Sequence, residues 1–142
     1  MKQHQTIDYH IKFAWQNMFN KYNQLAAGFG ITQAIGYMLI NINEEGSAVS
    51  QLAALLGVKA TSLSRMLNNM EEQGLIYRET AAGDKRSVKV FLTDFGREKR
   101  QAAKNVVRQF NEYLDGHFSK KEKEQFIALL VKLNEVTLAY PV

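Results

Sequence analysis

Val49-Ser50-Gln51-Leu52-Ala53-Ala54-Leu55-Leu56-Gly57-Val58-Lys59-Ala60-Thr61-Ser62-Leu63-Ser64-Arg65-Met66 reads as two short helices meeting at Gly57. Glycine there can take the left-handed conformation that ends the first helix. Ala53 is small where two such helices cross, Ser50 can cap the first, and Leu63 and Met66 face inward to hold the second. That is the arrangement of a helix-turn-helix. With Leu63, Met66, Leu67 and Met70 turned inward, the opposite face presents Thr61, Ser62, Ser64, Arg65, Asn68 and Asn69. The first two turns carry almost no acid. Hydroxyls can meet bases or phosphates and Arg can bond guanine through two donors, so such a helix suits a DNA major groove. An ordinary amphipathic helix pair with a polar outer face has the same composition, so the flanking sequence has to decide between them.

Directly downstream the period changes. Leu75 to Glu79 is short and β-favouring, while Val88, Val90 and Leu92 alternate with Ser87, Lys89 and Phe91. This predicts a two-stranded hairpin. Between its strands lies Ala81-Ala82-Gly83-Asp84-Lys85-Arg86, whose Gly-Asp pair permits a turn and whose tip is too polar to bury. Lys85 and Arg86 at that tip, with Arg78 and Lys89 on the strands, make a basic wing beside the second helix. Arg is suited to a narrow minor groove, where the potential is most negative.

Further out, Ile7, Ile11, Ala14, Trp15, Met18, Tyr22 and Leu25 recur at the spacing of a long first helix. Gly28 and Gly30 interrupt it. Thr32 can cap a second helix carrying Ile35, Met38, Leu39 and Ile42, which Glu44-Glu45-Gly46 breaks. Beyond the wing, Thr93 can cap a long helix with Ala102, Ala103, Val106, Val107, Phe110, Tyr113 and Leu114 on one stripe, stopping near Gly116. Ser119 starts the last helix, with Phe126, Leu129, Leu130, Leu133, Val136 and Tyr140 at helical spacing and Pro141 past its end. The fold class is mainly α: about six helices and a two-stranded β-hairpin wing. The outer helices hold more apolar surface than a middle of about 45 residues could cover, which predicts packing against a second copy of the chain.

At 142 residues there is room for one domain. The 18 Lys and Arg exceed the 14 Asp and Glu, compatible with a polyanionic partner. No apolar run is long enough to span a membrane and the N-terminus is polar, so a soluble, cytoplasmic protein without a membrane partner is expected. With no cysteine, disulfides, thiolate metal sites and thiol nucleophiles are excluded. His4, His10 and His117 are scattered, and no Ser-His-Asp spacing or phosphate-binding Gly loop accompanies them. Catalysis is not expected. The three His with Glu44 and Glu45 lack tight ligand spacing, so no metal or other cofactor is expected either.

Asp84-Lys85-Arg86-Ser87-Val88-Lys89-Val90-Phe91-Leu92-Thr93-Asp94-Phe95-Gly96 resembles the wing signature of the MarR family: Asp, any residue, Arg, then a strand ending Leu-Thr with Gly shortly after. Leu63-Ser64-Arg65 and Gln73-Gly74-Leu75-Ile76 also fit that family's recognition helix and its exit into the wing. The resemblance covers essentially the whole chain. It implies one domain over 1–142, with dimerisation helices at 1–30 and 95–142 around a winged helix-turn-helix DNA-binding lobe at 31–94. It implies a bacterial regulator of transcription that binds double-stranded, palindromic DNA as a homodimer, usually a repressor relieved by a small ligand or oxidant. By position, Thr61, Ser62 and Arg65 would read the major groove beside Ser64 and Asn69, Arg86 would enter the minor groove next to Lys85, and Asp84 would orient an Arg at the wing. The chain departs from the family at Ser87 and Lys89, where further Arg residues often stand. It also lacks the N-terminal cysteine of the family's peroxide sensors. Trp15, Phe19, Tyr22, Tyr37, Phe110 and Tyr113 would line a cavity for a small aromatic or amphipathic effector, although an aromatic stripe is more often core. Lys99, Arg100, Lys104 and Arg108 read as a solvated face, with Arg97 and Arg100 able to reach phosphates. The alternative function is a winged-helix protein-interaction module without specific DNA binding, which leaves Arg65 and Arg86 unexplained.

Overall fold

The apolar stripe that begins at Ile7 forms α1 (Ile7–Ala27), preceded by one 3-10 turn at Gln3–Gln5. The computed structural model describes residues 2–81 and 84–142, with the side chains of Gln3, Ala81, Asp84, Lys85 and Arg86 outside that description. Thr32, in extended backbone, caps α2 (Gln33–Asn41) as expected, its Oγ1 accepting the Ile35 N–H at 3.1 Å. After the break at Glu44-Glu45-Gly46 come β1 (Ser47–Ala48), α3 (Val49–Leu56) and α4 (Ala60–Glu72). Gly57 joins the two helices at φ 61°, the left-handed region where a β-carbon is costly.

Two expectations are corrected here. Ser50 does not cap α3: the cap position is Ala48, which offers no side-chain acceptor, and Ser50 lies inside the first turn. The reason is that strand β1 runs straight into the helix and leaves no loop for a capping serine. Likewise the hairpin is part of a three-stranded antiparallel sheet. β3 (Asp84–Leu92) pairs on one side with β2 (Ile76–Ala81) and on the other with β1, through Ser47↔Val90 and Ala48↔Lys89. The β2–β3 register runs from Ile76↔Leu92 to Thr80↔Val88 and, after an irregularity, to Ala81↔Asp84. Pairing therefore extends into the segment read as turn.

The core lies where α2, α3 and α4 meet the sheet. Met38, Leu39 and Ile42 from the first, Leu52 from the second, Leu63, Leu67 and Met70 from the third, and Leu75, Ile76, Val90 and Leu92 from the strand ends are almost fully buried together. Each such side chain contributes about 1.5–3 kcal/mol by leaving water. Ser47 is buried too, and its Oγ accepts the Asn43 N–H at 2.9 Å, so its burial leaves no acceptor unpaired.

Thr93 fixes the start of α5 (Asp94–Asp115) against this core in three ways. Its N–H donates to the Leu75 carbonyl at 3.1 Å, its Oγ1 donates to the Gly74 carbonyl at 2.5 Å, and the same Oγ1 accepts the Gly96 N–H at 2.9 Å. The helix comes so close to the chain at Leu75 that a β-carbon on Gly96 would overlap the Leu75 carbonyl oxygen. The Leu-Thr and following Gly of the wing signature thus have a steric cause. The final helix, α6 (Lys120–Leu138), opens with a capping box: Ser119 Oγ accepts the Glu122 N–H at 3.1 Å and Glu122 Oε1 accepts the Ser119 N–H at 2.9 Å. The bond from the Ser119 backbone, then that from its side chain, holds the Glu122 carboxyl below its ordinary value.

Two compact units divide the chain, Met1–Val106 and Val107–Val142, and α5 contributes to both. The second contains the ion pairs Arg108–Glu112 at 3.0 Å and Lys123–Asp115 at 2.7 Å. In α6 no residue is buried, and Phe126, Leu129 and Val136 are each more than half exposed. No helix among the described residues is long and apolar enough to cross a membrane.

Candidate nucleic-acid interface

Helical periodicity sorts α4 into two faces. Leu63, Leu67 and Met70 lock into the core, and Thr61, Ser62, Ser64, Arg65, Asn68 and Asn69 are all exposed on the other side. The fold thus brings together all five residues of α4 that the sequence singled out as DNA contacts. The first turn holds no acid, and Lys59 at the cap position makes no side-chain cap bond. The leading N–H groups and the positive end of the helix dipole therefore face solvent beside Thr61 and Ser62, an arrangement that favours a phosphate. No described residue forms an ion pair or hydrogen bond with Arg65. Glu79, an acid on the neighbouring strand, does not pair with it, and the side chain of Asp84 lies outside the described residues.

Not every polar group on this face is open. Asn69 Oδ1 accepts from Gln73 Nε2 at 2.9 Å, which leaves its amide N–H groups to donate. Asn68 Oδ1 accepts from Arg78 Nη2 at 2.6 Å, and the same guanidinium meets Glu71. Sequence reasoning saw Arg78 only as one more wing charge. Of the wing residues, Lys89 is exposed on β3, whereas the expected contacts Asp84, Lys85 and Arg86 have side chains that lie outside the described residues.

Arg97 and Arg100, read as able to reach phosphates, are both engaged within the chain. Both bond Glu44, in the turn after α2: Arg97 Nε to Oε2 at 3.0 Å, and Arg100 Nη2 to Oε1. Arg97 also meets Asp94 at 2.8 Å, and Arg100 Nη1 donates to the Ile42 carbonyl at 3.2 Å. The hydrogen bonds from Arg97 and then Arg100 hold the Glu44 carboxyl below its ordinary value of 4.5. These cations clamp α5 to the end of α2. Lys99 is tethered as well, donating to the Phe29 carbonyl at 2.7 Å with its ammonium 5.4 Å from the centre of the Phe95 ring. The face read as merely solvated is largely paired within the chain.

Of the six aromatics assigned to an effector, four stand on α1 and α2 and two on α5. Trp15 and Phe19 are exposed neighbours on α1 with ring centres 6.2 Å apart, and Tyr22 is half-buried one turn on. Tyr37 is exposed on α2. Phe110 and Tyr113 stack at 6.5 Å within the second unit. An open cleft of about 360 Å³ is lined by Ile40, Asn41, Asn43, Ser47, Gln51, Leu52 and Leu55, none of them from that set. Among the described residues no cluster of His, Asp and Glu could hold a metal ion.

Comparison with known proteins places this geometry. A family model described as MarR family matches residues 25–87. A crystal structure of S. aureus MepR in complex with DNA is 27% identical, covers 92% of this chain and 98% of that one, and has a TM-score of 0.85. S. aureus MepR, described as a transcription regulator of the multidrug efflux pump MepA, is 26% identical over 93% of this chain and 98% of that one, with a TM-score of 0.71. A mutant E. coli MarR in complex with operator DNA shares the fold at 24% identity, covering 89% and 92% of the two chains with a TM-score of 0.80.

Proposed function

We propose that this chain is a MarR-family winged helix-turn-helix protein that binds double-stranded DNA sequence-specifically, as a homodimer on a palindromic operator, and represses transcription there. The observation that carries the reading is the outward face of α4. Five polar side chains, an open helix start and an Arg65 without a partner among the described residues stand on one surface with no acid in the first turn. In a major groove Arg65 would bond guanine O6 and N7, Thr61, Ser62 and Ser64 would meet base edges or phosphates, and Asn69 would donate through its amide. Arg86, with Lys85, would enter the neighbouring minor groove from the wing.

The dimer follows from surfaces that a single chain leaves wet. Ile7 and Trp15 on α1 and Phe126, Leu129 and Val136 on α6 are all more than half exposed. Burying such stripes against a second copy would supply a second α4, and the two would need to stand about 34–36 Å apart to read successive turns of one DNA face. DNA in the structures of MepR and MarR supports the same use of the fold. Release by a small aromatic or amphipathic effector, acting through the aromatics of α1, α2 and α5, completes the proposal.

Retention of mixed duplex DNA at low and high salt tests the reading. The wild type is expected to bind with a steep salt dependence, and Arg65→Ala to lose the affinity specific to one sequence while keeping most of the rest. No retention at any salt would mean that the fold serves protein interaction instead. Removing residues 120–142 is expected to abolish the dimer and specific binding together. A truncated chain that still sediments as a dimer would contradict the assignment of α6.

A further inference from the structure

The β2–β3 hairpin reaches beyond the core. Ile76 is buried at 2%, but two residues on, Arg78 is only half-buried, and Glu79 and Thr80 are exposed, as are Lys89 opposite Glu79 and Ser87 further along β3. Pairing with β1 ends at Lys89, and beyond it β2 and β3 continue as a two-stranded ribbon, which is easier to twist and bend than a wider sheet. Arg78 sits near the end of the supported part of the sheet, paired with the buried Val90, and its guanidinium crosses to the last turns of α4. Nε and Nη2 both donate to Glu71 Oε2, at 2.9 and 2.5 Å, and Nη2 also donates to Asn68 Oδ1 at 2.6 Å. Asn68 and Glu71 are one turn apart on the same side of α4, and Asn68 is one turn from Arg65.

We propose that Arg78 is a positioning residue: it fixes the angle between α4 and the hairpin, and so lets both fit one half-site, without touching DNA itself. This rests on the reading of α4 and the wing as the DNA-binding surface. The planar guanidinium supplies what a lysine could not, several donors in fixed directions shared between two acceptors on another element. With Arg78 and Glu71 side chains 29% and 40% exposed, the pair adds little to folding stability, so direction is its main contribution. Glu71 also neutralises the charge, which argues against Arg78 as a phosphate contact.

The sign of the effect at Glu71 separates the two roles. Under positioning, Arg78→Ala and Glu71→Gln each weaken binding to the duplex selected by the wild type by about tenfold, the order of one lost base contact. The double variant is then no weaker than either single one, Arg78→Lys does not rescue, and the melting temperature hardly moves. Under direct phosphate contact, Glu71→Gln would tighten binding by freeing the Arg, which overturns the proposal. A measurement without DNA keeps it separate from the proposed function. The chain has no cysteine, so spin labels at Glu72→Cys and Lys89→Cys report the helix-to-hairpin distance in labelled chains diluted with unlabelled ones. Arg78→Ala and Glu71→Gln are expected to broaden that distribution equally. An unchanged distribution refutes the positioning role whether or not DNA binds, whereas broadening in a chain that binds no duplex would refute only the DNA-binding reading.

Discussion

Gly96→Ala tests the join between α5 and the sheet, because no rotation of a methyl group can relieve the clash it makes. The β-carbon would overlap the Leu75 carbonyl oxygen and lie 3.0 Å from its carbon and 3.4 Å from Leu92 Cδ2. The obstruction is backbone at the edge of the core, so the first turn of α5 has to move away. That movement breaks the bonds from Thr93 to the Leu75 and Gly74 carbonyls, each worth about 1 kcal/mol, and adds an overpacking cost of about 1–3 kcal/mol. A total loss of about 4 kcal/mol is a large part of the roughly 5–15 kcal/mol that holds a domain folded. In a chain of this size it should lower the melting temperature by about 10–15 °C. Gly116→Ala is the control, since its β-carbon would meet only the Tyr113 and Glu112 carbonyl oxygens at 3.4 and 3.7 Å, ordinary contact. Thermal or urea unfolding followed by circular dichroism reads both. A Gly96→Ala melting temperature within about 3 °C of the control would refute the close-approach argument.

Leu67→Ala, at a position 1% exposed between α4 and the sheet, is expected to cost about 2–5 kcal/mol in urea unfolding, and a loss under about 1 kcal/mol would mean that α4 is not seated as described. Gly57→Ala has open space for its methyl group, so only the left-handed backbone is penalised, by about 1–2 kcal/mol. Glu44 is held below 4.5 in the folded chain, so its contribution to stability is present above the unfolded carboxylate value and is lost as pH falls through the folded one. Acid titration of stability should therefore fall less steeply below about pH 4.5 in Glu44→Gln than in the wild type, and identical profiles would show that the Arg97 and Arg100 bonds are not maintained in solution.

Periodicity and local punctuation made most of this fold readable. Leu63, Leu67 and Met70 repeat at helical spacing, Gly57 stands where a left-handed residue is needed, and Thr32, Thr93 and Ser119 each cap the helix that follows. These signals lie within a few residues of what they determine. The missed features are not local. Strand β1 is two residues long, too short for an alternation to register, and it is defined by partners more than forty positions away. Arg97 and Arg100 looked like free cations because Glu44 is 53 and 56 residues distant, brought near only by the packing of α5 on α2. Arg78 finds Glu71 across a turn between a helix and a strand, where no single period predicts which side chains meet. The outward face of α4 was legible for the opposite reason: once the buried residues are assigned, the remainder can only point away.

Selection of bound duplexes from random DNA, run in parallel with the wild type and Arg65→Ala, tests the central claim most directly. The wild type is expected to recover a palindrome whose half-sites are about one helical turn apart and carry a preferred guanine. Arg65→Ala should recover the same spacing with that preference relaxed, at a cost of about 1–3 kcal/mol per half-site on the wild-type sequence. A wild-type pool with no enriched sequence, or an Arg65→Ala pool with unchanged base preferences, would contradict the account of α4 as the helix that reads DNA.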